Sequence, residues 1–188
     1  MLSEWTAMWK VVLPGFEPDS LWMERKMKWS PSQVSNLEDN PEHEETDSDL
    51  AFRILGVTSP DGARVLDIDS YQVIEPEGDS LEVGGEPDSR PVLIDRRART
   101  ETIVEFCGTS CGYHWAKWLS PAGFALGGWQ NADDYGHWDQ GTLSIYSLRD
   151  STVAVYVTRI IPASDFERYL SAWRGWLMKR YRALKIRA

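Results

Sequence analysis

Residues 107–129 read Cys-Gly-Thr-Ser-Cys-Gly-Tyr-His-Trp-Ala-Lys-Trp-Leu-Ser-Pro-Ala-Gly-Phe-Ala-Leu-Gly-Gly-Trp. They hold both cysteines, one of three histidines and three of ten tryptophans. The stretch reads as a glycine-hinged loop followed by a hairpin, Tyr113 to Leu119 and Phe124 to Trp129. Its turn is Ser120-Pro121-Ala122-Gly123, since Pro suits the second position of a tight turn and Gly a position of positive φ. If this stretch is β, its neighbours become further hairpins beside it.

Outward from it, Thr142–Leu148 and Thr152–Ile160 pair across Arg149-Asp150-Ser151. Val153, Val155 and Val157 alternate there with Thr152, Ala154 and Tyr156, the mark of a half-buried strand. Upstream, Pro91–Asp95 and Thr100–Phe106 form a hairpin across residues 96–99. Leu50–Thr58 and Ala63–Ile74 read as strands joined by Ser59-Pro60-Asp61-Gly62. Glu75–Arg90, rich in Gly, Pro and acid, reads as a long loop with at most a short strand at Leu81–Val83. Trp5–Leu13 is apolar and β-prone, a first strand ending at Pro14-Gly15. Leu21–Trp29 alternates poorly and fits strand or helix. Between them and Leu50 lies an acidic loop, 36–49, with seven carboxylates, no Lys or Arg, and too little apolar surface to offset its ordering entropy.

The chain ends in an amphipathic helix, 163–186. Ser164-Asp165-Phe166-Glu167 fits a capping box. Phe166, Leu170, Trp173, Leu177, Tyr181 and Leu184 recur as one stripe. Residues 168–187 carry seven Lys or Arg and no acid, the favourable sign for the negative end of the dipole. This tail reads as a solvated face rather than a lipid-binding one.

Ser59-Pro60-Asp61-Gly62 and Ser120-Pro121-Ala122-Gly123 are each followed by an apolar strand, a polar loop and a hairpin, entered through Val92–Asp95 and Ser144–Leu148 respectively. Four short strands repeating over roughly 50–60 residues is the pattern of propeller blades. Residues 50–160 resemble blades of tryptophan–aspartate-type β-propellers. The resemblance implies two blade-like units, 50–106 and 107–160. A ring needs about four or more blades, so the implied arrangement is a stacked or continuous antiparallel sheet, or a unit that oligomerises. The expected fold is therefore mainly β: antiparallel meanders of two propeller-blade-like units with a C-terminal amphipathic α-helix. It forms one domain over 1–188, with an N-terminal strand region at 1–35.

With 188 residues the chain can bury roughly 70% of its unfolded surface. A net charge of −9 argues against nucleic acid as partner, because such binders need a positive footprint. No run of 18 apolar residues is present, so no transmembrane segment is expected. Met1–Phe16 lacks the features of a secretory leader, which as written points to the cytoplasm; a trimmed leader would point to the periplasm or the exterior. No cofactor is implied.

Cys107 and Cys111 form a candidate disulfide. The metal alternative joins Cys107, Cys111 and His114, at a spacing unlike the usual zinc patterns. Gly108-Thr109-Ser110-Cys111-Gly112 matches the nucleophile-elbow pattern, but the helix that must follow the Ser is missing. The 131–139 loop is dense in carboxylates and aromatics. Asp133, Asp134, His137 and Asp139, with Ser110, are its catalytic candidates. Trp129, Tyr135, His137 and Trp138 are the ligand-binding candidates. Turn-rich solvated connection is the simpler account of such a loop.

Three functions compete. The first is a non-catalytic binding or protein-interaction module with a protein partner and the option of self-assembly. The second is a hydrolase acting on carbohydrate through the 131–139 loop. The third is an immunity- or inhibitor-type acidic protein facing a basic partner. An enzyme should show two of the loop's titratable groups around one concavity with a shifted pKa; a binding module should show an exposed apolar patch.

Overall fold

Ser3–Lys10 is a helix, α1, where the β-prone composition predicts a strand. Trp5, Met8 and Trp9 recur at three- and four-residue spacings, so helical winding buries all three on one side. Alternation would have split them between two faces. The expected N-terminal strand region is thus a helix followed by two strands, β1 (Trp22–Lys28) and β2 (Gln33–Asn36). The computed structural model describes residues 3–31, 33–36, 50–68, 72–85, 88–133 and 138–185. The acidic loop, apart from Asn36, lies outside them.

Leu50–Leu55 is a second short helix, α2, not the beginning of a strand. Ala51, Ile54 and Leu55 are the buried residues, again at helical spacing. It stops at Gly56, whose N–H donates to the Phe52 carbonyl at 2.7 Å, and where a Cβ would stand 2.6 Å from that oxygen. β3 (Val57–Thr58) and β4 (Arg64–Asp67) flank the expected Ser59–Gly62 turn. Gly62 takes φ +68° there, and Asp61 accepts from Ser59 Oγ at 2.6 Å and Ala63 N–H at 3.2 Å. These bonds, the Ser59 one foremost, hold the Asp61 carboxyl below its usual range.

Ala63–Ile74 is not one strand, and Glu75–Arg90 is not one long loop. Ile74 belongs to β5 (Gln72–Glu77), which pairs with β6 (Ser80–Gly85) around Gly78 as a separate hairpin. Its mostly exposed side chains give little apolar alternation to read. β7 (Val92–Asp95) and β8 (Thr100–Ile103) form the expected hairpin. Asp95 stabilises its turn, accepting the Arg97 and Ala98 N–H groups at 3.0 and 2.9 Å.

The decisive stretch is β, as read. β9 (Cys111–Ser120) and β10 (Gly123–Asn131) pair antiparallel across Pro121-Ala122. β11 (Trp138–Ser147) pairs with β10 and with β12 (Thr152–Val157). A two-residue strand, β13 (Ile161–Pro162), leads into the helix α3 (Ala163–Lys185). Its buried stripe is Tyr169, Trp173, Leu177 and Tyr181, with Phe166, Leu170 and Leu184 packed at its margins.

The first sheet runs β1-β12-β11-β10-β9, with β13 on β11; the second runs β2-β8-β7-β4-β3. The protein is mainly β and antiparallel, with α3 at its C-terminal end. The first sheet is covered on both faces. On one face, Trp118, Phe124 and Tyr146 meet the second sheet. Trp118 Nε1 donates to the Val57 carbonyl at 2.8 Å, and Trp29 packs edge-on to Tyr146 while donating to the Val104 carbonyl at 2.9 Å. On the other face lie α1 and α3. Trp5 sits over Gly127, where a Cβ would meet its ring at 2.5 Å, and Trp9 sits over Gly141, where the gap would be 2.6 Å. None of the helices is long and apolar enough to cross a membrane, among the described residues.

Candidate functional site

One end of the first sheet gathers several of the sequence candidates. Cys107 and Cys111 are joined as a disulfide with Cα atoms 5.9 Å apart. The small loop they close rests on both flanks. Cys107 bridges to Ser89 through bonds of 2.7 and 2.9 Å, and the Ser110 carbonyl accepts the Asn131 N–H at 2.7 Å. This last bond sets Ser110 beside the end of β10. The 131–139 segment is shorter as a loop than expected. Asn131 closes β10, Trp138 and Asp139 open β11, and the Ala132 N–H donates to the Trp138 carbonyl at 2.7 Å across the gap.

Asp139 is the unusual group of this end. It is 3% exposed, opposite Asn131 on one side and Ile161 on the other. Burial, with the Asp133 carboxylate adding to it, pushes its pKa up to about 6. The strand pairing thus forces a carboxyl into a site that disfavours its charge. Asp134, Tyr135, Gly136 and His137 lie outside the described residues. Trp129 is seated over Gly112, whose Cβ would meet its Nε1 at 2.6 Å, and packs 4.7 Å from Phe166 of α3. Its ring is therefore part of the sheet–helix contact. Trp138 remains 47% exposed.

His114 is far from being a metal ligand. A register shift between Gly127 and Gly128 makes it the extra residue of β9, so it and Trp115 both face the helices. Its ring stacks 4.0 Å from Trp173, and Nδ1 shares a hydrogen bond of 3.2 Å with the Tyr169 hydroxyl. Burial, with Arg174 nearby, lowers its pKa to about 3 and keeps it neutral. The disulfide meanwhile occupies both sulfurs. Among the described residues, no three His, Cys, Asp or Glu side chains group as metal ligands.

A second surface was not singled out by sequence reasoning. β1 lies at the edge of the first sheet and pairs, among the described residues, only with β12. All seven of its residues are exposed, including Trp22 at 47%, Met23 at 56% and Met27 at 53%. Arg25, Lys26 and Lys28 make it locally basic in a chain of net charge −9. A bulge at Glu24 shifts its register between Met23 and Arg25. The signal in the sequence was the poor alternation of Leu21–Trp29: large apolar side chains among charges, on no single face.

No family model, curated protein or solved structure matches the chain. The sheet end offers one carboxyl with a raised pKa beside a second, and the β1 edge offers an exposed strand with large apolar side chains.

Proposed function

We propose that this protein is a non-catalytic protein-interaction module whose docking edge is β1. The observation that carries this reading is the exposure of Trp22, Met23 and Met27 on a strand whose second edge pairs with no strand among the described residues. Edge strands are normally blunted by charge, brevity or cover, because an open row of backbone N–H and C=O groups recruits other strands. β1 carries charges, yet it leaves about half the surface of each of three large apolar residues open to water. Strand addition supplies backbone hydrogen bonds for affinity and side-chain contacts for specificity. The reading is tested by selecting peptides from a random library on the immobilised protein and mapping each by hydrogen–deuterium exchange. Selected peptides should slow exchange in residues 22–28; peptides that protect only other segments, or none selected, would sink it.

Asp139 favours a second reading, a carbohydrate hydrolase. A carboxyl with a pKa near 6 beside another carboxylate has the property wanted of a general acid. A glycan panel incubated with the protein and with Asp139→Asn tests it: cleavage by the first and not the second is its required result.

A further inference from the structure

We propose that β1 accepts β1 of a second copy of this chain, joining the two first sheets into one continuous antiparallel sheet. This inference rests on β1 being the docking edge. Directly opposed residues in a sheet share a face, so a strand can pair with itself only in registers that match its faces. Trp22, Arg25 and Met27 stand opposite Val157, Val155 and Val153; Met23, Lys26 and Lys28 stand opposite Tyr156, Ala154 and Thr152. Glu24 is the bulge residue between the two runs.

The bulge decides the register. A two-fold axis through Arg25 would oppose Trp22 to Lys28, which lie on different faces. An axis between Glu24 and Arg25 opposes Trp22 to Met27 on one face and Met23 to Lys26 on the other. It also sets Glu24 of each copy against Arg25 of its mate. Within Trp22–Met27 each cross-strand pair is then complementary: apolar with apolar, a methionine against a lysine stem, and opposite charges at the centre, while Lys28 falls opposite Leu21, just outside the strand. The isologous arrangement uses each contact twice, as two-fold symmetry requires. An acidic extended segment from another protein would satisfy the lysines but leave Glu24 opposed by like charge.

Two seven-residue strands form an interface below the roughly 1,200 Å² of stable complexes, so association on the order of tens of micromolar is the expectation. Sedimentation velocity of the full chain in about 0.15 M salt, where the net negative charges are largely screened, reads it directly. The weight-average mass should climb from one chain toward two as concentration rises through that range. Glu24→Arg and Arg25→Glu should each remain at one chain across the same range, because each places like charges at the centre. An equimolar mixture of the two variants should recover the dimer. The mixture matters because Glu24 and Arg25 also lie 3.6 Å apart within one chain, and only pairing between chains is restored by mixing. Both side chains are exposed, and thermal melts of each variant verify that they fold.

A wild-type chain that stays at one mass throughout overturns the proposal. So does a single variant that dimerises like wild type, or a mixture that fails to recover. Peptides that protect residues 22–28 on a strictly monomeric chain would leave the docking edge standing and remove only the self-pairing.

Discussion

Burial disfavours the charged form of both His114 and Asp139, with opposite consequences for pH. The folded pKa of His114, about 3 against an ordinary 6.5, means the unfolded chain takes up a proton that the folded chain refuses. Its contribution is complete above pH 6.5 and is lost as pH falls toward 3, at up to ~1.4 kcal/mol per pH unit. Asp139 runs the other way. With its folded pKa raised from 3.8 to about 6, it favours the folded chain at low pH and costs stability as pH rises through 6. Urea midpoints should therefore fall between pH 7 and pH 5 less steeply than His114 alone dictates. His114→Gln, which keeps a partner for Tyr169 without a charge to gain, should flatten the acid limb. Asp139→Asn should raise stability at pH 8 by about 1 to 2 kcal/mol and leave pH 4 nearly unchanged. A variant that gains equally at both pH values would show that Asp139 is not ionising against burial.

At the scale of elements, α1 is fixed by indole rings laid on bare backbone. Trp5 over Gly127 and Trp9 over Gly141 leave no room for a methyl group, so the two strand glycines are the seat of a helix more than a hundred residues away. Gly127→Ala would drive a Cβ to 2.5 Å from the Trp5 ring. It should cost about 1 to 3 kcal/mol, the usual penalty of overpacking, and blue-shifted tryptophan emission should move toward red as α1 lifts. Unchanged emission and stability would mean that α1 docks elsewhere. The same contacts explain what was legible in the chain. The hairpins from Val92 to Val157 could be read because turn residues and strand alternation agree, and α3 because its stripe is long. α1 and α2 were misread because short helices hold few periods, and Trp, Val, Ile and Phe are as much at home in strands. The β5–β6 hairpin was hidden by its exposure. The raised carboxyl at Asp139 needed the strand pairing that buries it, which no local pattern of Asn, Asp and Gly announces.

The whole molecule shares one principal core. Trp5 and Trp9 of α1, Ile54 of α2, Leu66 and Leu93 of the second sheet, Phe124 and Tyr146 of the first, and Trp173 of α3 belong to a single buried cluster. Layers that bury one another cannot melt separately without each exposing the other's face, so unfolding should be a single transition. Far-ultraviolet circular dichroism follows the strands and α3, while tryptophan emission follows rings in α1, α3 and the first sheet, with Trp118 and Trp29 bonded to the Val57 and Val104 carbonyls on the side of the second sheet. The two should give coincident urea curves, and a curve in which α3 outlasts the sheets would break the argument. The disulfide bears on this only at the margin. Cys107 and Cys111 are four positions apart, and closing so short a loop stabilises by about 2 kcal/mol in the chain-entropy account. Reductant should therefore lower the common midpoint while the two curves stay superimposed, and the intact mass should rise by two hydrogens. If reduction instead separates the curves, the loop that carries Ser110 to Asn131 holds one layer against the other. The sheet end would then be a structural joint rather than a trimming at its edge.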